Sequence, residues 1–302
     1  MKLKLALVTA ATAAALSAPL AHAATVRLVV PGTTYVVTGV KVGKGKVDDS
    51  QIGANWLPGT TPEVVSYPES AIYPSVGQSA AIGQQNLNAA ILKAYAEGDT
   101  IDVAGFSQGG IVVNDEEAYL ATDPSAPPAD ALTFYVFANP FDPGGLGALL
   151  PAGTKLLGAP VEPPPDSQYD TIVIYEQYEG FANFPDRPWN LLADANAIAG
   201  LTEHTQTPTS LPSDAVEMSQ TTDSRGGTTT TYMIPQTNLP LTEPLRQVLG
   251  APVVNDLDNA LRPIINRGYS ELDPQGPYIS YGHVENVPIF KAVPNTPAKK
   301  GR

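Results

Sequence analysis

A short apolar segment leads directly into a Gly-x-Ser-x-Gly sequence, and this junction constrains the fold more than any other feature. Residues 101–104 (Ile-Asp-Val-Ala) predict a buried strand, residues 105–109 read Gly-Phe-Ser-Gln-Gly, and a helical pattern continues to residue 120. A serine on a sharp strand-to-helix turn is held with its hydroxyl above the end of the sheet. Gly105 and Gly109 allow neighbouring segments to approach closely. The junction predicts a nucleophile elbow with Ser107 as the nucleophile.

The segments around the elbow alternate between strand-like and helix-like patterns. Strands are predicted at residues 26–30, 64–66, 101–104, 132–138 and 171–175, and helices at 79–96, 109–120 and 189–201. This alternation is typical of a mostly parallel sheet with helices on both faces. Together with the elbow, it predicts an α/β-hydrolase fold.

The last third of the chain has a different pattern. Residues 228–234 are threonine-rich and strand-like, and residues 242–249 and 252–267 predict two amphipathic helices. We interpret these segments as a cap or flank on the sheet. Residues 144–166 are rich in proline and glycine, and they predict a long surface excursion.

The N-terminus has the pattern of a secretory signal peptide. Lys2 and Lys4 precede an apolar run over residues 5–20, and Ala21-His22-Ala23 offers a cleavage site. A single membrane anchor is the alternative, although the run is short for a spanning helix. We therefore expect a signal peptide at 1–23, one hydrolase domain at 24–293 and a disordered tail at 294–302. The mature protein is expected to be secreted or associated with the cell envelope.

The composition excludes several classes of function. The chain has no cysteine, which excludes a cysteine nucleophile and a thiolate metal site. Its net charge of −13 disfavours nucleic acid as a partner. No metal or organic cofactor is expected, and the expected partner is a lipid or other acyl-ester substrate.

The catalytic base has few candidates because histidine occurs only at positions 22, 204 and 283. His22 lies in the segment expected to be removed. A hydroxyl nucleophile needs a base, and in this fold the base follows the serine and an acid in chain order. His204 fits that order and is favoured, while His283 remains the alternative.

The acid should follow the strand at 171–175 and precede His204. The candidates are Glu176, Glu179, Asp186 and Asp194. Asp194 falls within a predicted helix, where an exposed position is the simpler interpretation. Asp186 lies in a proline-containing loop in which a turn could present it, and we favour it, although an ion pair with Arg187 would also explain it. Glu179 is the second choice.

The remaining parts of the site follow from the fold. The backbone amide of Gln108 should supply one donor of an oxyanion hole, and Thr33, in the loop after the first strand, should supply the other. Phe181, Phe184 and Trp189 could line an acyl pocket, although simple packing is the commoner role of such aromatic residues.

The chain resembles the PE-PPE domain family, a group of cutinase-like serine hydrolases with an α/β-hydrolase fold. The resemblance spans most of the expected mature chain. It is carried by residues 29–33, 105–109, 178–188, 192–197, 232–235, 238–241 and 245–246.

The resemblance implies esterase activity on acyl esters, and in some members acyl transfer to cell-envelope glycolipids. It also implies a Ser-Asp-His triad in which Ser107 and His204 fall on matching positions. Relatives often carry aspartate where this chain has Glu179 and Asn183. If the family's acid is at 183, then Asp186 or Glu179 must replace it.

Three functions are therefore compared: a secreted esterase or lipase-like hydrolase, which we favour, an acyltransferase with the same triad, and a non-catalytic surface protein that retains the fold.

Overall fold

The computed structural model describes residues 25–37, 40–41 and 47–286, so the expected signal peptide and C-terminal tail lie outside the described residues. Its strands in chain order are β1 (Thr25–Val30), β2 (Tyr35–Val37), β3 (Val40–Lys41), β4 (Thr61–Val64), β5 (Ser70–Tyr73), β6 (Thr100–Phe106), β7 (Leu132–Phe137), β8 (Lys155–Leu156), β9 (Ala159–Pro160), β10 (Asp170–Glu176), β11 (Val216–Thr222), β12 (Thr228–Ile234), β13 (Tyr278–Ser280) and β14 (His283–Glu285). Its α-helices are α1 (Val76–Glu97), α2 (Gln108–Leu120), α3 (Leu191–Ala199), α4 (Arg246–Leu249) and α5 (Ala251–Asn266).

In the part of the chain that the structure describes, the main sheet has seven strands in the order β11-β12-β10-β7-β6-β1-β4. Neighbouring strands are parallel except for the edge pair β11 and β12, which is antiparallel. The carboxyl ends of the parallel strands therefore meet at one edge, where ligand sites form in open α/β sheets. This arrangement confirms the predicted α/β-hydrolase fold class.

Both faces of the sheet are buried, and successive residues of the central strands alternate between two cores. Leu28 and Val103 pack against α1 and α2 on one face. Val29 and Ala104 face the other side, where they join a second cluster that contains Phe137. The near-continuous apolar runs in the sequence therefore reflect strands covered on both sides.

Local sequence signals set the limits of α1. Ser75 caps its N-terminus in a reciprocal capping box with Gln78, and Gly98 ends it in the left-handed conformation at φ 89°. The helix begins three residues before the predicted start at 79 because Ser75, rather than the first apolar repeat, determines where it begins.

Several segments differ from their predicted roles. The threonine-rich strand at 228–234 is β12, which pairs with β10 inside the main sheet rather than lying over it. The strand predicted at 64–66 is β4 and ends at Val64. The edge strand β11 was not predicted. Residues 144–166 are more than a surface excursion, because Val161 and Ala159 are buried in the main core.

The C-terminal helices α4 and α5 pack against each other. Helix α5 contacts α3, and Ile265 and Tyr269 form a third apolar cluster with Tyr178. The guanidinium of Arg187 connects the loop before α3 to the segment after α5, because it donates hydrogen bonds to the carbonyls of residues 267, 276 and 277. No helix among the residues described has both the length and the apolar character needed to cross a membrane.

Candidate active site

Ser107 occupies the turn between β6 and α2 in a backbone conformation that few side chains adopt. Its φ is 56° and its ψ is −116°. The amide of Ser107 donates to the carbonyl of Phe137 at 2.8 Å, which ties the turn to the neighbouring strand. A left-handed φ at a non-glycine residue is costly and persists only where the surroundings enforce it. The structure therefore forms the sharp turn predicted for a nucleophile elbow.

Close packing explains the two glycines of the elbow. A Cβ on Gly109 would lie 2.0 Å from the carbonyl oxygen of Val30, and one on Gly105 would lie 2.5 Å from the carbonyl oxygen of Gly109. Any larger residue would push α2 away from β6 and β1. The glycines thus set the distance between helix and sheet that holds Ser107 in place.

His204 lies beside this serine. It is carried by a 3₁₀ helix (Gly200–Thr205) that follows α3. Its Nε2 is 2.8 Å from Oγ of Ser107. The imidazole lies between two aromatic rings, with ring centroids 4.9 Å from Phe106 and 4.8 Å from Phe181. These contacts orient the imidazole and shield much of it from solvent.

The carboxylate that faces His204 belongs to Glu179. Its Oε1 is 3.0 Å from Nδ1 of His204, and the Glu179 side chain is fully buried. Within the described residues Nδ1 is buried without another hydrogen-bond partner, and its contact with Glu179 falls short of strict hydrogen-bond geometry. Such contacts often tighten when substrate binds. The same carboxylate accepts the amides of Phe181 at 2.8 Å and Ala182 at 2.6 Å.

Asp186, the favoured acid of the sequence analysis, lies elsewhere. Its carboxylate accepts the amide of Ser270 at 2.9 Å and also the Ser270 hydroxyl. Burial raises its pKa to about 6, against the lowering effect of these hydrogen bonds. The structure thus brings Glu179 to His204 and leaves Asp186 anchoring the C-terminal segment. The signal that could have identified Glu179 is its closeness to the end of β10, which it follows by three residues, whereas Asp186 follows that end by ten.

The other candidates are also placed away from this arrangement. Glu176 ends β10, where its carboxylate accepts Nε2 of Gln236. Asp194 lies in α3. His283 lies on the hairpin of β13 and β14, is exposed, and does not line the cavity beside Ser107.

The two segments expected to supply an oxyanion hole lie beside Ser107. Gln108 is the first residue of α2, so its amide has no acceptor within the helix. Its side chain is fixed by the carbonyl of Ser70 and the hydroxyl of Ser79. The loop after β1 passes beside the serine, since a Cβ on Gly32 would lie 3.1 Å from Cβ of Ser107. Thr33 follows in this loop and lines the cavity.

A cavity of about 680 Å³ opens at Ser107. Its polar lining includes Ser107, His204, Thr33 and Asp49. Its walls are mostly apolar and include Ile52, Val76, Phe106, Ile111, Phe141, Leu146, Leu156, Leu157 and Phe181. Of the three aromatic residues considered from the sequence, Phe181 lines the cavity, whereas Phe184 and Trp189 do not. Leu146, Leu156 and Leu157 come from the segment predicted to be a surface excursion.

A serine hydroxyl, an imidazole and a buried carboxylate in line form an arrangement that can activate the hydroxyl as a nucleophile. With a mostly parallel sheet and a serine elbow at its carboxyl edge, the molecule has the α/β-hydrolase fold. The PE-PPE domain profile matches residues 58–270. The chain therefore belongs to the PE-PPE domain family.

Curated relatives from Mycobacterium tuberculosis carry activity names. The chain is 42% identical over 239 residues to the SL1278 acyltransferase Chp1, covering 72% of this chain and 57% of that protein. It is 34% identical over 253 residues to the diacyltrehalose acyltransferase Chp2, covering 74% and 70%. It is 37% identical over 207 residues to the esterase PE16, covering 64% and 38%.

The chain spans about half the length of the first curated relatives, which are uncharacterized PPE family proteins at 48% identity with 52% of their length covered. Among solved structures, a cutinase-like protein from Cryptococcus sp. matches 53% of this chain and 79% of its own, with a TM-score of 0.33 and 18% identity.

Proposed function

We propose that the protein is a serine esterase that cleaves carboxylic esters through a covalent acyl-enzyme. The observation that carries this proposal is the line of contacts from Oγ of Ser107 to Nε2 of His204 and from Nδ1 of His204 to Glu179. Ser107, Glu179 and His204 also follow one another in the order serine, acid, histidine that is typical of this fold.

In the proposed first step, Oγ of Ser107 attacks the ester carbonyl carbon and its proton passes to Nε2 of His204. Glu179 holds the imidazole in the tautomer protonated at Nδ1 and stabilises the imidazolium that forms. The tetrahedral intermediate then collapses, the bond to the leaving alkoxide breaks, and His204 returns the proton to it. Water repeats the sequence on the acyl-enzyme and releases the acid.

The negative charge of the tetrahedral intermediate needs donors that are already oriented. We assign this role to the amides of Gln108 and Thr33, at the N-terminus of α2 and in the loop after β1. The positive end of the helix dipole at Gln108 adds to this stabilisation. Both amides belong to segments that lie next to Ser107, since Gly32 packs against Ser107 and the Gln108 side chain is held by the carbonyl of Ser70.

The cavity supports a substrate with an apolar acyl group. Its walls are mostly aliphatic and aromatic side chains, and Ser107 and His204 line it as well. A lipid-like ester would place its acyl chain along these walls and its carbonyl beside Ser107. The net charge of −13 favours such a partner over a polyanion.

An acyltransferase is the second candidate, because two relatives are named as acyltransferases, one of them for diacyltrehalose. The chemistry is the same until the second step, in which a sugar hydroxyl replaces water. Product partition with and without a sugar alcohol acceptor would separate the two activities. A non-catalytic protein would instead fail to react with a fluorophosphonate probe.

The location remains part of the proposal. With the N-terminal pattern at residues 1–23, we expect a secreted or envelope-associated protein. Fractionation of cells expressing the full chain, with N-terminal sequencing of the product, would test both the location and the cleavage site.

The decisive experiment is p-nitrophenyl ester hydrolysis by residues 24–302 across a series of acyl chain lengths. Ser107→Ala and His204→Ala should each lower kcat by at least about 10³-fold, as expected for members of a catalytic unit. His283→Ala is the matched control and should retain wild-type kcat. Loss of activity in His283→Ala with activity retained in His204→Ala would reverse the assignment of the base.

A further inference from the structure

The acid of the proposed triad lies on a tight loop, residues 176–183, which we name the acid loop. Tyr178 adopts a left-handed φ of 65°, and the amide of Glu179 donates to the carbonyl of Glu176 at 3.2 Å. The Glu179 carboxylate is held by the amides of Phe181 and Ala182 from the same loop. The direction in which Glu179 points therefore depends on the shape of the loop.

Asn183 closes this loop. Its amide donates to the carbonyl of Glu179 at 2.9 Å, and its Oδ1 accepts the amide of Tyr178 at 2.7 Å. Asn183 thus bonds both to the backbone amide of Tyr178, before Glu179, and to the backbone carbonyl of Glu179 itself. Because Asn183 is buried, water cannot replace these bonds without opening the loop.

Glu271 holds Asn183 from outside the loop. Its Oε1 accepts Nδ2 of Asn183 at 2.8 Å, and its Oε2 accepts the hydroxyl of Tyr175 at 2.7 Å. Tyr175 belongs to β10, so Glu271 bridges the end of the strand and the end of the acid loop. All three side chains are buried.

We propose that Glu271 is a positioning residue that fixes Asn183 and Tyr175 so that the Glu179 carboxylate faces His204. This role rests on the proposed esterase function. Glu271 lies far from Ser107 along the chain and does not line the cavity, so it acts through Glu179 rather than on the substrate. Burial also raises the pKa of Glu271 to about 7, against the lowering effect of its hydrogen bonds to Tyr175 and Asn183.

A purely structural role would predict loss of stability alone, and Glu117 provides the matched control. Glu117 is also a buried carboxyl group whose pKa burial raises to about 7. It accepts the hydroxyls of Ser167 and Thr171. Thr171 lies near the amino end of β10, whereas the acid loop follows the carboxyl end. Glu117→Ala should therefore destabilise the fold comparably and leave the acid loop intact.

The first test compares kinetics at a temperature well below the melting transition of every variant. Glu271→Ala should lower kcat by about 10- to 100-fold with KM within about 3-fold, because small displacements of catalytic groups have effects of this size. Glu271→Gln keeps the shape, its carboxamide oxygen can accept Nδ2 of Asn183, and its NH₂ can donate to the hydroxyl oxygen of Tyr175, so it should restore kcat to within about 3-fold of wild type. Glu117→Ala should lower Tm and leave kcat unchanged.

The second test asks whether Glu271 acts through Glu179. In a Glu179→Gln background, adding Glu271→Ala should change kcat by less than about 2-fold, since residues that act as a unit are not additive. If Glu271→Ala does not fold, Tyr175→Phe removes one of the two bonds without a charge change and should show a several-fold loss of kcat in the wild-type background alone.

The outcomes separate the two proposals. The positioning role would be overturned if the losses of kcat multiplied in the double variant, or if Glu117→Ala lost as much kcat as Glu271→Ala. The proposed function would still stand in that case, provided that Ser107→Ala is inactive. Hydrolysis that persists in Ser107→Ala would overturn the proposed function and the positioning role with it.

Discussion

Replacing Glu179 by glutamine removes one charge and no volume from the proposed triad. The side chain in the protein accepts two backbone amides and faces Nδ1 of His204, so three donors converge on two carboxylate oxygens. A carboxamide offers one acceptor oxygen and one donor group. The variant must therefore turn its NH₂ towards an existing donor, and His204 loses its negative partner.

The size of the effect follows from the geometry. Across the 3.0 Å between Nδ1 and Oε1, a full charge pair interacts by about 5 to 6 kcal/mol at an effective dielectric constant of about 20. That interaction exists only while the imidazolium exists, so it stabilises the transition state rather than bound substrate. At about 1.4 kcal/mol for each factor of ten, it corresponds to about 10⁴ in rate. We expect kcat to fall about 10³- to 10⁴-fold, since the carboxamide dipole recovers part of the interaction.

Steady-state hydrolysis of p-nitrophenyl esters measures this loss, with KM expected within about 3-fold of wild type because the substrate contacts are unchanged. Asp186→Asn is the control. It weakens the bonds to Ser270, so it should lower the free energy of unfolding by about 1 to 3 kcal/mol while kcat stays near wild type. Glu179→Gln activity above about a tenth of wild type, with an inactive Asp186→Asn, would return the acid role to Asp186 and refute this reasoning.

Three further predictions follow from the packing. Burial raises the pKa of Glu117 and of Asp142 to about 7. The native state therefore binds more protons than the unfolded chain between about pH 4 and 7, and the free energy of unfolding should fall as the pH rises from about 5 to 8. Urea unfolding at about pH 5 and about pH 8 checks this, and greater stability at about pH 8 would contradict it. Gly109→Ala should lower the free energy of unfolding by about 1 to 3 kcal/mol or more, measured by thermal melting, because its Cβ would meet the carbonyl of Val30. Ile111→Phe adds volume to the cavity wall and should shift the preferred p-nitrophenyl ester towards shorter acyl chains, an effect absent if acyl chains bind elsewhere.

Sequence patterns predicted the parts of the fold that have strong local signals. β6 and β10 are apolar runs buried on both faces. Helix α2 begins beside Gly109, where close packing against β1 requires a glycine. The edge strand β11 has weak signals, because its residues are mostly exposed and its last four are polar. Its place in the sheet comes from pairing with β12, a contact that single-strand patterns do not contain.

The elbow motif, chain order and the scarcity of histidine were enough to predict the serine and the histidine of the candidate site, but not the acid. The scarcity of histidine and the required order led to His204, which the structure places beside Ser107. The acid depended on how residues 176–186 turn, and that turn is set by Asn183 and by Glu271 from another part of the chain. No local pattern records such a contact, which is why a loop aspartate was favoured over Glu179.

The hydrogen bonds from Arg187 to residues 267, 276 and 277 have a consequence for the order in which parts of the protein fold. These hydrogen bonds join positions 80 to 90 residues apart. Such long loops close late, because their entropy must be lost before any contact forms. The elbow and the strands β6, β7 and β10 can form earlier, because each of these strands pairs with one that is nearer in the chain. During refolding, β-sheet signal should therefore recover before turnover does, and a chain emerging from synthesis should stay inactive until residues 267–277 have packed against Arg187.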